Sequence, residues 1–354
     1  MARIGVIPGD GIANEVIPEA VKVLRVVDDL FRIQLEFEFF DFGAERYLRT
    51  GQAVPDDIDR FFVELPSRFD CVLFGAGGTD PRVPPEGTAR PILRGLRRKL
   101  DLYANMRPCK LLDANLTPLK GKTEKDIDFV FFRESTEGYE FANSVGLKVG
   151  TPEEVEIRPE INTAKGVRRI IEQAFAYARA RGRRRVDMAE KGLPNGLWSR
   201  TFREVGRAYP DIEQRHIHVD TLAYIMVVSP EQLQVVVSEN RVGDILTDIA
   251  AAIQGGRGLS PGGCFNPDRR FCYFEPIHGT GPDIFGKKLA NPIASILAAK
   301  MLLEHLGHVE AAAVVEAAVV EAVRHGNTTP DLGGTLSTPE VGDFICGEIR
   351  RRAG

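Results

Sequence analysis

The chain has 354 residues, 43% of them hydrophobic and 27% charged, with a formal net charge of −4. That length accommodates two packed lobes, and the composition is that of a globular protein. The charge balance points to neither nucleic acid nor an anionic membrane as partner, and no run of about 18 apolar residues is available to span a bilayer.

The elements alternate along the chain. "RIGVI" (3–7) reads as a strand, followed by a Gly/Pro turn and an amphipathic helix over 12–30. "DCVLFGAGG" (70–78), "DFVFFRESTEG" (128–138), "QVVVSEN" (234–240) and "RFCYFEP" (270–276) are apolar strands running into glycine or polar residues. Residues 162–182 and 308–326 are helices by periodicity, each ending in glycine. The basic run "RARGRRRV" (179–186) reads as a solvated helix end entering a strand. Strands alternating with helices predict an α/β architecture with an open sheet, whose chemistry sits beyond the carboxyl ends of the strands.

The five cysteines, at 71, 109, 264, 272 and 346, form no CxxC pair. A reducing compartment is expected, with neither a disulfide framework nor a structural zinc site. The opening "MARIGVIPGDG" lacks the charged and apolar regions of a secretory leader. A cytoplasmic protein is expected.

No G-x-G-x-x-G fingerprint joins a strand to a helix, so a Rossmann reading is weak. In its place stands "EPIHGTGPDIFGKKLANP" (275–292), too broken for a helix and too proline-rich for a central strand. Gly279 and Gly281 would let a ligand approach the backbone closely. Asp283 could accept from a ribose diol and would repel a 2′-phosphate. A rigid surface turn is the plainer alternative.

Asp244 and Asp248 stand four apart at the start of a helix, so both carboxylates share a face. They form part of an oxygen site for a hard cation, or else they are N-terminal charge favoured by the helix dipole. Asp220, in "HIHVDTLAY", would supply a third carboxylate. Arg90, Arg94 and Arg97 recur at helical spacing, and Arg98, Arg107 and Arg133 lie nearby in sequence. Arginines converging on one cleft would suit a substrate with two or three carboxylates. A solvent-facing basic stripe accounts for at least one of them.

Together these segments resemble the β-decarboxylating dehydrogenases, the family of isopropylmalate, isocitrate, homoisocitrate and tartrate/malate dehydrogenases. "IGVIPGDGIANEV", "LRRKLDLYANMRP", "FFRESTEG", "ENRVGDILTD" and the 275–292 loop match its motifs in order over nearly the whole chain. The resemblance implies a two-lobed isopropylmalate-dehydrogenase-like α/β fold. Residues 1–103 and 256–354 would form the larger, cofactor-binding lobe. Residues 104–255 would form the smaller lobe, with the dimer contact and the metal residues. It further implies NAD and Mg2+ or Mn2+ as cofactors, and a homodimer with shared active sites, or a tetramer.

Carried over by position, Arg97, Arg107 and Arg133 would clamp the malate moiety. Asp244 and Asp248 would bind the metal, with Asp220 coming from the neighbouring subunit. Glu275, His278, Gly279, Thr280, Gly281, Asp283, Ile284 and Asn291 would hold the adenosine half of NAD. The catalytic lysine falls on Lys191 when the strand before it is aligned without a gap, and on Met188 when Trp198 is the anchor. The strand alignment is preferred. Leu193 then stands where the family carries Asn. The family's tyrosine position holds Glu140, with Tyr139 one residue early, and Tyr139 is expected to serve.

The implied reaction is NAD- and metal-dependent oxidative decarboxylation of a 3-substituted malate. Arg94, one turn before Arg97, resembles the homoisocitrate pattern and implies an anionic substituent, as in homoisocitrate or isocitrate. An isopropylmalate or D-malate/tartrate enzyme is the alternative within the class, and a catalytically silent regulatory subunit is the alternative outside it.

Overall fold

The computed structural model describes residues 1–141, 143–192, 195–269 and 271–353. In chain order the regular elements begin with β1 (Ala2–Gly9), α1 (Ala13–Phe31), β2 (Leu35–Phe39), α2 (Ala44–Thr50), α3 (Ile58–Arg68), β3 (Cys71–Ala76) and α4 (Arg90–Lys99). Next come β4 (Ala104–Lys110), β5 (Asp128–Glu134), β6 (Val145–Leu147), β7 (Val155–Ile157), α5 (Ala164–Ala180), β8 (Arg185–Glu190), α6 (Leu197–Gly206) and β9 (Glu213–His218). The chain closes with α7 (Val219–Val228), β10 (Val235–Ser238), α8 (Asn240–Ile253), β11 (Pro261–Asn266), β12 (Phe271–Pro276), α9 (Ile293–His305), α10 (Val309–Arg324) and α11 (Thr338–Ala353). The architecture is α/β, as the alternating pattern predicts, and no helix among the described residues is long and apolar enough to cross a membrane.

The chain divides into two compact units. The first comprises Met1–Leu102, Lys110–Glu124 and Ala251–Gly354. Its strands run in the order β2-β1-β3-β12-β11. The pairings β1–β2, β1–β3 and β3–β12 are parallel, and β11–β12 is antiparallel. Ile4, Val6, Val72, Leu73 and Phe74 are fully buried, which is why these strands read as continuous apolar runs rather than as alternation. Helices α1, α9, α10 and α11 pack together, and α9 also lies against β12. Helix α9 is buried almost all round, as its uniformly apolar sequence requires. On α4, Gly95 lets the Phe62 ring come so close that an added Cβ would sit 2.0 Å from it.

The second unit comprises Tyr103–Cys109 and Lys125–Ala250. Its strand order is β4-β5-β10-β8-β9, with β5–β10, β10–β8 and β8–β9 parallel. Helix α5 packs on β5, β10 and β8, and α6 packs on α5 through Phe175 and Phe202, whose ring centroids are 5.4 Å apart. Strands β6 and β7 form a separate antiparallel hairpin whose residues are all exposed. Helix α7 is apolar along most of its length, yet only Leu222 and Met226 are buried. The strand registers set Arg133, Ser238 and Ala189 abreast, and Glu190 beside His218, at the carboxyl ends of β5, β10, β8 and β9.

Candidate active site

In the first unit, the carboxyl ends of β1 and β3 are paired at Gly9 and Ala76. Just beyond them lies Asp10, fully buried. Its Oδ1 accepts the Ala44 amide at 2.8 Å, and its Oδ2 accepts those of Gly78 at 3.0 Å and Ala89 at 2.8 Å. Burial raises its pKa while these amides oppose the rise. One carboxylate thereby fixes three loops.

The 278–281 segment is tied to the same edge. The Thr280 carbonyl accepts the Ile12 amide at 2.8 Å, and its hydroxyl donates to the Thr79 carbonyl at 2.5 Å. Gly11 has φ +57°, and a Cβ there would lie 2.1 Å from the Thr280 oxygen, so only glycine allows this contact. His278 has Nδ1 2.9 Å from the Gly279 carbonyl oxygen, while its Nε2 is buried without a partner. Desolvation holds its pKa below the ordinary histidine value. A Cβ at Gly279 would meet open space, Gly281 adopts φ +49°, and Asp283 and Ile284 are exposed. Asn291 is buried, donating to Asp331 Oδ2 at 3.0 Å and accepting the Ile293 amide.

Arg97 and Glu275 face each other here. Arg97 Nε donates to the Tyr273 hydroxyl at 2.7 Å and Nη2 donates to Glu275 Oε1 at 2.9 Å, with both side chains buried. Spacing alone puts Arg90, Arg94 and Arg97 on one face. In the structure Arg90 and Arg94 are exposed and Arg97 turns inward. Arg94 has no hydrogen-bond or ion-pair partner for its side chain among the described residues. Glu275, assigned by resemblance to the adenosine half of NAD, is engaged by Arg97 and Tyr273.

In the second unit, two buried arginines converge on one carboxylate of α8. Arg107 donates from Nε to Asn105 Oδ1 at 2.7 Å and from Nη1 to Thr247 Oγ1 at 2.6 Å, with Asp244 Oδ1 3.4 Å away. Arg133 donates from Nε to the Asn240 carbonyl at 2.9 Å and from Nη1 to Asp244 Oδ1, and its Nη2 lies 3.0 Å from Glu140 Oε1. Gly243 makes room for it, since a Cβ there would lie 2.8 Å from Arg133 Cβ and Cγ. Asp248 is exposed one turn further along α8. Before the turn, buried Glu134 accepts the Thr136 and Glu137 amides, and desolvation raises its pKa.

Lys191 and Asp220 form an ion pair at the ends of β8 and β9, both largely exposed. The ammonium holds the Asp220 carboxyl below the usual range. Lys191 lines a cavity of about 420 Å³ with Glu160, Glu190, Trp198, Glu239 and Arg241. Burial raises the pKa of both Glu190 and Glu239. The Tyr139 hydroxyl accepts from Arg158 Nη1 at 2.8 Å, and Arg241 lies 4.9 Å from its ring centroid. Leu193 lies outside the described residues.

The structure thus brings Arg107, Arg133 and Asp244 together, Arg97 with Glu275, and Lys191 with Asp220. It does not gather Asp220 with Asp244 and Asp248 in one chain: among the described residues no group of three or more His, Cys, Asp or Glu side chains could hold a metal. Asp10, Asn105, Asn240, Thr247 and Tyr273 escape the sequence reading. Only Asp10 carries a local signal, an acid between two glycines.

The family model for isocitrate/isopropylmalate dehydrogenase matches residues 3–345. The chain belongs to this family. It is 38% identical to a 3-isopropylmalate dehydrogenase of Thermobifida fusca, over 98% of this chain and 97% of that protein. It is 40% identical to a D-malate dehydrogenase (decarboxylating) of Escherichia coli, over 99% of each. Among solved structures, an isocitrate dehydrogenase from Methylococcus capsulatus superposes with a TM-score of 0.87 at 32% identity, covering 99% of this chain and 100% of that one. The protein is accordingly a decarboxylating dehydrogenase of the isocitrate/isopropylmalate dehydrogenase family, and its fold is that of the family.

Proposed function

We propose that the chain oxidises a 3-substituted malate at its C2 hydroxyl with NAD and a divalent cation, and that the substituent is anionic. The observation that carries the first part is the convergence of buried Arg107 and Arg133 on Asp244, with Asp248 one turn on. Guanidinium groups suit the substrate carboxylates, and the two α8 carboxylates are the oxygen donors a hard cation wants. Asp220, together with the Lys191 that it pairs with, would come from a second copy. The uncovered apolar residues Tyr224, Val227 and Val228 on its helix, and Val145, Leu147, Val155 and Ile157 on the hairpin, support a homodimer.

The 278–291 segment fits a dinucleotide. The unpartnered Nε2 of His278 and the open face of Gly279 offer a polar group and close backbone approach. Asp283 is exposed where it could accept from a ribose diol, which favours NAD over its 2′-phosphorylated form. When bound, the cation supplies charge stabilisation at the C2 oxygen and the dinucleotide accepts hydride. Arg97, Arg107 and Arg133 orient the carboxylates. Lys191 takes the alcohol proton once its ammonium has released one toward water through Asp220. The C3–carboxylate bond of the resulting β-keto acid then breaks, CO2 leaves, and Tyr139 is the candidate donor of the proton that C3 takes in its place.

Arg94 supports the anionic substituent. It is exposed and lacks a side-chain partner among the described residues, one turn from Arg97, and burying it unpaired beside an alkyl group would be unfavourable. The relatives named for 3-isopropylmalate and D-malate favour a second reading, with an alkyl group or hydrogen at that position. NADH formation by the purified chain with Mn2+ and isocitrate, homoisocitrate, isopropylmalate, D-malate or tartrate tests both. Higher kcat/KM for the tricarboxylates supports the proposal, and isopropylmalate or D-malate outpacing them overturns it. No turnover with any of them would point to a silent subunit.

A further inference from the structure

Each nitrogen of the Arg133 guanidinium already has an internal acceptor. Nε is held by the Asn240 carbonyl at 2.9 Å, Nη1 by Asp244 Oδ1, and Nη2 faces Glu140 Oε1 at 3.0 Å and Asn240 Oδ1 at 3.4 Å. Arg133 itself is 1% exposed and cannot swing into solvent to meet an anion. The Asn240 and Asp244 acceptors are built into the start of α8. Glu140 differs in its backbone setting: it stands on the short 3-10 turn Tyr139–Phe141 rather than on a helix, although its side chain, 38% exposed, is no more open than that of Asp244 at 44%. It is also the residue at the position where the family places its tyrosine.

From this arrangement we infer that Glu140 is an internal stand-in for a substrate carboxylate. It occupies Nη2 of Arg133 until a dicarboxylate displaces it, and so sets how tightly the site takes its ligand. The inference rests on the reading of Arg133 as a substrate arginine. A carboxylate grips a guanidinium best through two parallel N–H bonds, and the Nη1–Nη2 edge is occupied on one side by Asp244 and on the other by Glu140. Of the two, Glu140 is the one on a short turn, whereas Asp244 is fixed in α8. Its departure exchanges one carboxylate for another, so the net benefit of binding at Arg133 is reduced by the ion pair given up. A partly exposed pair of this kind contributes up to about 1 kcal/mol, which corresponds to a factor of about five in affinity.

The test is binding of malonate, a dicarboxylate that cannot be oxidised, to the wild-type chain and to Glu140→Gln by titration calorimetry at low and high salt. The stand-in role predicts malonate binding about three- to fivefold tighter in Glu140→Gln. The difference should shrink as salt screens the pair, with KM for the oxidised substrate falling by a similar factor. Glu140→Asp, which keeps the charge on a shorter arm, should fall between the two. Equal or weaker malonate binding by Glu140→Gln, or no binding to either protein, overturns the inference. So does a fall in kcat with unchanged affinity, which would make Glu140 a proton donor instead. Wild-type NADH formation is measured in parallel: its absence sinks the dehydrogenase reading, whereas its presence with unaltered malonate affinity sinks only the role given to Glu140.

Discussion

Arg97 and Glu275 close a buried ion pair at 2.9 Å, and the Tyr273 hydroxyl lies 2.7 Å from Arg97 Nε and 3.2 Å from the same carboxylate oxygen. Desolvation works against the charge on Arg97, and its neighbours more than offset it, holding the guanidinium well above its ordinary pKa. Removing one member strands the other in a water-poor site. Arg97→Ala should therefore lower unfolding free energy by about 3–5 kcal/mol, measured by urea denaturation. The double variant Arg97→Met/Glu275→Leu should recover much of that loss while leaving turnover low. A double variant no more stable than Arg97→Ala would show that the pair is not the source of the effect.

Lys191 and Asp220 call for the opposite pattern. Both side chains are more than half exposed and pair with each other, Asp220 also accepting the Thr221 amide at 2.9 Å, so neither supports the core. Lys191→Ala and Asp220→Asn should leave the thermal midpoint nearly unchanged, as surface substitutions do. Turnover should fall by roughly 10²–10⁴, the range typical for loss of a positioned proton acceptor. Steady-state NADH formation together with a thermal melt checks both halves. Full turnover in Lys191→Ala would remove it from the mechanism.

These two pairs mark what the sequence makes legible. The strands ending at Glu134, Glu190 and Ser238 are apolar runs with polar tails, and the position of chemistry beyond them follows from α/β topology. The two α8 aspartates stand out by their spacing of four, whereas Lys191 is assigned only through the resemblance to the family's strand-and-lysine pattern. The partner of Arg97 can be found by neither route. Glu275 is 178 positions away, and the two meet only because β12 pairs with β3 inside the first unit while Gly95 and Leu96 seat α4 on its apolar layer. Helical spacing likewise groups Arg97 with Arg90 and Arg94, but burial separates them. Asp10 is hidden for a similar reason: its three amide partners come from residues 44, 78 and 89. Side chains whose role is set by long-range pairing leave no spacing to read.

The lowered pKa of His278 makes a pH prediction with a definite sign. Burial disfavours its charged form, so below the ordinary value of 6.5 the unfolded chain binds a proton that the folded chain refuses. Its contribution to stability is fully present above that value and is lost as pH falls from about 6.5 toward the folded pKa. His278→Asn removes this contribution. Between about pH 7.5 and pH 5 the wild type should therefore lose more unfolding free energy than the variant does. Urea denaturation at the two pH values decides it, and identical losses would mean that the ring is open to protonation in the folded state.

The β6–β7 hairpin provides the last prediction. Val145 pairs with Ile157 and Leu147 with Val155, and all four side chains are 47–50% exposed. Two strands alone are marginally stable in water, and apolar side chains on both of them gain nothing from solvent. In the proposed homodimer a second copy covers this surface, and the uncovered side of α7 offers a further apolar patch. A buried Leu or Val contributes about 1.5–3 kcal/mol, so Leu147→Asp/Val155→Asp should weaken association by at least about 100-fold. Sedimentation velocity across a dilution series should show monomer where the wild type is dimeric. Because Asp220 is proposed to serve the neighbouring site, turnover per chain should fall with the dimer fraction. A monomeric wild type would remove the basis for shared active sites. A variant monomer with full turnover would place Asp220 in its own chain's site.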